Sequence, residues 1–537
     1  MLHRVSKGTG ALSLRRCELS AHYANIRPDT GAAESPISGV GDWCRKRGEF
    51  IMTWSSSWRP AAWLGLPGLV SLTLLAFPAV PAGQAPVQDD KQVTFTKDIA
   101  PILQRSCQRC HRPDSIAPMS LLTYEDARPW AKAMKLRTGL RSRPEAMPPW
   151  YIEKNIGIQE FKDDYSLTDE QIANIAKWAD SGAPRGNPAD MPPPIKFPDS
   201  KVWTLGQPDL IVVSPSIEVK AGAPDWWGPL SPAVPTGLTE DRYVASLEMR
   251  EINDLDTTSA RQTIGGLHTV HHLIWSAIPP NMDGNSAAQA AAELETWPIH
   301  EVGRNADVFD PEAGRLLKAG STLVFPSAHL HTTGVDTKAR VEYGFKFHPK
   351  GYKPTKKIRG LDVTATMDID LKPMTGGQKI EAFSTLTENR KIVIYEPHMH
   401  ASGVRMCLDA IWGSSVQTLS CAGYNHGWVR NYAYADDAQP ILPKGTILRV
   451  TGYFDTTPAN RNVSDPRNWQ GLGHRSIDNM LINLGQTVTL SDDEFWAEMA
   501  KRRERLHLAK GETVLGCPLC GYDKRPAGPP AVVGQQQ

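Results

Sequence analysis

The chain has 537 residues, 59 lysines plus arginines against 58 aspartates plus glutamates, and a hydrophobic content of 40%. That length exceeds one ordinary core, and the apolar fraction can fill two or three domains. The balanced charge excludes the basic field of a nucleic-acid binder and a repelling acidic tail, which leaves small molecules and redox proteins as the partners to expect.

Residues 1–51 are polar and without apolar periodicity, and read as a non-native or disordered extension. Met52 is the expected start. Arg59 and the apolar run Ala61 to Phe77, ending near Val80-Pro-Ala82, make 52–85 a signal peptide with charged, apolar and small-residue parts in order. The rival reading is a membrane anchor. Pro67, Pro78 and a run shorter than about 20 residues favour cleavage, so no stable span is expected afterwards and the location is periplasmic or secreted.

From 90 to 186 the pattern is that of a small all-α domain, with Thr96 to Leu103 and Leu167 to Trp178 at helical spacing, the second behind a Thr/Asp cap near Glu170 and Gln171. Between them stands Cys107-Gln-Arg-Cys-His111. With eight cysteines and fifteen histidines in the chain, chance rarely produces this run. Two thiols on one turn can form thioethers to the two vinyl groups of a porphyrin, and the following imidazole then meets the iron, so covalent haem c is the expected cofactor. The second axial ligand is Met147, in Arg143-Pro-Glu-Ala-Met-Pro-Pro-Trp150, in preference to Met119. An open sixth position is the alternative. Thioether attachment is extracytoplasmic chemistry in bacteria, which agrees with export.

Residues 187–200 form a stiff, proline-rich linker. Beyond it the texture changes. Asp209 to Val213, Thr322 to Phe325, Arg340 to Phe347, Lys391 to Tyr395 and Thr446 to Phe454 are short, β-branched and aromatic, and read as two antiparallel β-sandwiches, 201–352 and 353–495. The remainder, 496–537, carries most of a charged helix over Ser491 to Lys510 and a Pro/Gly/Gln tail. Cys407 and Cys421 flank Gly413-Ser-Ser and are candidates to bridge a hairpin. Cys517-Pro-Leu-Cys520 is a redox pair, half a zinc site, or else a structural disulfide or a pair of no special role, the last two preferred for want of a second ligand pair nearby.

Three histidine clusters lie in the β region: His268-Thr-Val-His-His272, His329-Leu-His331 and Pro397-His-Met-His400. On a strand, residues i and i+2 share a face, so His329 with His331, or His398 with His400, can converge on one ion. Adjacent His271 and His272 cannot do so without a bulge or a strand end. Imidazole alone does not choose the metal; a thioether beside two imidazoles selects copper, since soft sulfur favours Cu(I).

The 90–186 segment resembles the c-type cytochromes of multidomain secreted bacterial proteins, on Cys107 to His111, Met147-Pro-Pro-Trp150 and Trp178 to Pro184. The span from Trp203 to Phe495 resembles the copper type II, ascorbate-dependent monooxygenases, the family of peptidylglycine α-hydroxylating and dopamine β-monooxygenases. The resemblance is carried by Val270-His-His-Leu273, His398-Met-His400, Ser476-Ile-Asp-Asn-Met480, Trp203 to Asp209, Pro443-Lys-Gly-Thr446 and Tyr453 to Asn460. It implies two sandwiches with one copper each. The first ion would sit on His271, His272 and either His329 or His331, and the second on His398, His400 and Met480. His329-Leu330 replaces the family's H-Y, and Asn479 stands where relatives have glutamate. Met399 is expected to pack away from the ligands.

The resemblance further implies hydroxylation of a C–H bond in a small organic substrate by dioxygen, with catalysis at His398, His400 and Met480. Electrons would come at least partly through the fused haem from an external donor, a redox protein or an ascorbate-like reductant. A haem and copper electron carrier without oxygenase activity is the second reading, and a structural sensor or adhesion module the third.

Overall fold

The computed structural model describes residues 92–524 apart from 114, 116, 198–201, 257–263, 281, 283–296, 303–305, 362, 366–368, 474 and 476. The expected extension, signal peptide and C-terminal tail lie outside the described residues, and no described helix is long and apolar enough to cross a membrane. All described residues belong to one compact unit that begins at Pro86.

The helical part follows its local signals. Thr123 and Thr168 each close a capping box, starting the helices Tyr124–Ala127 and Asp169–Asp180, the latter with Gln171 reaching back to the cap. Ile175 and Trp178 face a core with Phe95, Ile99, Leu103 and Leu121. Trp178, fully buried, donates its indole N–H to the Pro184 carbonyl at 3.0 Å, satisfying the one polar atom that burial would orphan.

This part is not all-α. Ile152–Gly157 is a strand, paired antiparallel with Ser415–Gly423 at the edge of a sheet in the second sandwich. Trp150, Tyr151, Ile152, Phe161 and Tyr165 sink into that sandwich's core. Pro148 and Pro149 bar a helix just upstream, and an open sheet edge offers the backbone partners that the segment then needs. Gly157, at φ 71°, closes the arrangement, because a Cβ there would run into the Leu419 carbonyl. The proline-rich stretch also docks rather than spanning free solvent: Gln104 donates to the Pro193 carbonyl at 2.9 Å, and the Arg112 guanidinium lies 4.9 Å from the Phe197 ring centroid.

The five segments expected as strands all fall on strands. In the first sandwich one sheet runs Trp226–Pro235, Thr322–Leu330, Val270–Ile278, His300–Glu301; the other has Thr337–Phe347 and Arg242–Asn253 at its centre. Val341, Tyr343 and Phe345, alternating inward on one strand, meet Leu273, Trp275 and Phe325 from the other sheet. In the second sandwich a five-stranded sheet (Ile152–Gly157, Ser415–Gly423, Gly403–Trp412, Ile447–Phe454, Gln378–Thr385) faces one built on Asn389–Tyr395 and Gln486–Leu490. A smaller sheet of Val363–Thr364, Leu481–Asn483 and Pro397–Met399 carries His398, with His400 just past its end.

Cys407 and Cys421 are directly opposed in register and joined as a disulfide, and Cys517 and Cys520 form a second disulfide within one turn. The last helix, Asp492–Arg505, starts from a Ser491–Glu494 capping box, so it straddles the boundary expected at 496. Its Phe495 and Met499 pack on Ile441, Leu490 and the Cys517–Cys520 turn.

Candidate metal centre

The first cluster is built by a flaw in strand pairing. Val270–Ile278 and Thr322–Leu330 pair with one register shift between Val324 and Ser327, then run in step from Ser327 opposite Ile274 to His329 opposite His272, and the partner of Leu330 is Val270. His271 is skipped. A bulged residue is re-aimed, and this is what allows two adjacent histidines to contribute to one site. His271, His272 and His329 each offer a nitrogen within 4.8 Å of the others.

His329 is held from outside. Its Nε2 lies 3.0 Å from the Asp225 carboxylate, and its ring stacks on Trp227 at a centroid distance of 4.5 Å. With Nε2 engaged, Nδ1 is the nitrogen left for a ligand, and a carboxylate behind an imidazole raises its basicity. His271 Nδ1 is shielded from water and has no hydrogen-bond partner among the described residues. Burial, reinforced by neighbouring imidazoles, pushes His271 far below the usual histidine range and His272 down to about 3. Both are neutral at physiological pH, which is the ligating form.

His331 stands beside this group, its ring centroid 6.1 Å from that of His271 and 6.2 Å from that of His329. Of the two alternatives in His329-Leu-His331, the tight cluster contains His329. His268 belongs elsewhere, 3.7 Å from the Glu251 carboxylate.

The second pair follows strand geometry. His398 and His400 bring their ring centroids to 5.3 Å. Pro397–Met399 pairs with Leu481–Asn483 so that His398 opposes Ile482 and Met399 opposes Leu481. The pairing ends there, with His400 and Met480 the next residues beyond it on the two segments. Asn479 is buried, and Ser402 Oγ donates to its Oδ1, tying the Met480 segment to the turn after His400. Met399 points the other way into the core, and a Cβ on Gly403 would meet its side chain at 2.5 Å.

Glu301 joins the two groups. It is the cross-strand partner of His272, and its Oε1 lies 3.1 Å from His398 Nδ1.

The third element is a cavity of about 1100 Å³ with a mostly apolar wall. Cys107, Cys110 and His111 line it where the helix Ala100–Ser106 ends, and Met119, Met147 and Trp130 line it as well. His111 Nδ1 is 3.0 Å from the Pro118 carbonyl, which fixes that nitrogen as the donor and leaves Nε2 as the ligand atom. Trp130 and Met147 are 43% and 37% exposed, apolar surface that an inserted macrocycle would cover. Both methionines reach the cavity, so the geometry admits either. His271, His331 and Trp428 also line it, so this cavity and the first histidine cluster share a wall.

Trp428 therefore lines the haem-motif cavity, while Trp227 serves His329 and Trp226 stands exposed. Sequence reasoning missed Asp225, Glu301 and His426. His426 lies 5.2 Å from His271 by ring centroids and comes from the second sandwich. A lone histidine in Tyr424-Asn-His-Gly-Trp428 carries no spacing signal; its only cue was its neighbour Trp428.

No family model matches the chain, and no curated protein is similar to it. Among solved structures, the infectious bursal disease virus VP2 subviral particle is 11% identical at a TM-score of 0.15, over 56% of this chain and 75% of that chain. The structure of the Gx strain of the same virus is 11% identical at 0.14, over 55% and 74%. Likeness this faint carries no argument.

Proposed function

We propose that this chain is a copper-dependent monooxygenase that hydroxylates a C–H bond of a small organic substrate, with a covalent haem as part of its electron supply. The observation that carries the reading is the wall shared by His271 and His331 between the Cys107–His111 cavity and the three-imidazole cluster.

When bound, copper would supply one-electron redox chemistry and dioxygen activation, and the haem a one-electron relay. The residues present fit those groups. His271, His272 and His329 are neutral, converging nitrogen donors, one of them orphaned in a buried setting, where an unmet polar atom costs about 1–3 kcal/mol. His398 and His400, with Met480 just beyond the strand that pairs with theirs, would combine imidazole with soft sulfur, a set suited to Cu(I). Cys107, Cys110 and His111 hold two thiols and one oriented imidazole in the wall of a mostly apolar cavity. Asp225 holds His329 from behind, and Glu301 sets a carboxylate oxygen 3.1 Å from His398 Nδ1.

Metal analysis of the exported protein together with its optical spectrum tests the composition: one c-type haem and two coppers per chain are expected. Reduced haem should reoxidise rapidly in air only when copper is present. A haem that stays reduced with both coppers loaded would overturn the relay, and absence of substrate-dependent oxygen uptake would leave the electron carrier in its place.

A further inference from the structure

We propose that His426 is an additional ligand to the ion held by His271, His272 and His329, so that one copper ion is gripped by imidazoles from both sandwiches. This rests on the copper reading above and adds to it a residue that the resemblance does not supply.

Three observations converge. The His271–His426 centroid distance of 5.2 Å falls within the range the three cluster members keep among themselves, 4.8 Å for His271–His329 to 5.8 Å for His271–His272. Among the described residues, Nδ1 of His426 is shielded from solvent without a hydrogen-bond partner, and so is Nδ1 of His271. Two adjacent rings with orphaned nitrogens are a costly arrangement that one shared ion relieves on both sides. Finally, Cu(II) favours tetragonal coordination, and three imidazoles leave a position for a fourth.

The turn that carries His426 is braced. Asn425 donates to the Tyr151 hydroxyl at 2.9 Å and accepts from Gly427 N–H at 3.1 Å. His426 lies outside the group whose nitrogens are all within 4.8 Å, so ligation calls for a small inward movement of this turn. Copper bound there would pin the second sandwich to the first.

The test uses the full haem-bearing chain in a His398→Ala/His400→Ala background, which leaves one copper site, with Cu(II) as the probe. X-ray absorption and pulsed electron paramagnetic resonance count the imidazoles: four are expected, and a count of three overturns the proposal without any change at His426. His426→Ala and the bulkier His426→Gln should each lose one imidazole and bind Cu(II) about tenfold more weakly or worse. Cu(II) should also slow hydrogen exchange at residues 425–428 only when His426 is present. Unchanged affinity and imidazole count in both variants would sink the idea. If His271→Ala alone weakens binding, the copper reading stands and the His426 ligand falls; if even His271→Ala is without effect, the reading itself fails.

Discussion

Glu301 places a carboxylate oxygen 3.1 Å from Nδ1 of His398, although the two residues belong to different sandwiches. Glu301 is also the strand partner of His272, so a single buried side chain stands behind both histidine groups. Glu301→Gln keeps the shape and removes the charge. It should weaken copper binding at His398 and His400 by roughly 10- to 100-fold, with a smaller effect at the first cluster, as measured by competitive copper titration. Equal affinity in the variant would show that the carboxylate only fills space.

Met480 and Met147 should separate by role. Met480→Ala should abolish oxygen-dependent hydroxylation and leave the haem spectrum intact. Met147→Ala should retain hydroxylation with a reductant that bypasses the haem, and should lower the haem potential, because a thioether axial ligand raises it. An oxygenase indifferent to Met480 would contradict the second site.

Acid should destabilise the metal-free protein well before its carboxylates titrate. His300 is 3% exposed with neither ring nitrogen partnered among the described residues, and burial holds it down to about 4; His272 is held down to about 3. In the unfolded chain both return to about 6.5, so between those limits the unfolded state binds more protons. Stability is therefore fully present above pH 6.5 and is lost as pH falls toward 4, each group contributing up to about 1.4 kcal/mol per pH unit. Denaturant unfolding at pH 7.5, 6 and 5 checks the direction. His300→Gln should flatten the profile.

Gly157→Ala should cost more than about 1 kcal/mol, because its φ of 71° disfavours a side chain and the Leu419 carbonyl occupies the space a Cβ needs. The first consequence should be local. Hydrogen exchange should accelerate along Ile152–Gly157 before the rest of the sheet responds.

Much of the fold was legible because it is written locally. Thr168 with Gln171 announces a helix start, and Arg340 to Phe347 alternates as a half-buried strand must. The need for a bulge at His271-His272 was legible too, from the rule that neighbours on a strand point apart. The strand Ile152–Gly157 was not, because its partner Ser415–Gly423 lies more than 250 residues downstream and no short-range pattern encodes that pairing. Asn479 read only as a departure from glutamate; its bond to Ser402, which secures the Met480 segment, exists only once the chain has folded. Glu301 and His426 escaped for the same reason, being lone residues given meaning by distant neighbours.

The edge strand Ile152–Gly157 changes where this chain can be cut. Severing it at the proline-rich stretch would strip the downstream half of a border it needs, exposing unpaired backbone of Ser415–Gly423 and the apolar bed of Trp150 and Phe161. Such a fragment is expected to associate through that raw margin. The smallest piece that inherits a finished surface begins upstream of Cys107, so the Cys107–His111 run and the histidine-bearing sheets are inherited together.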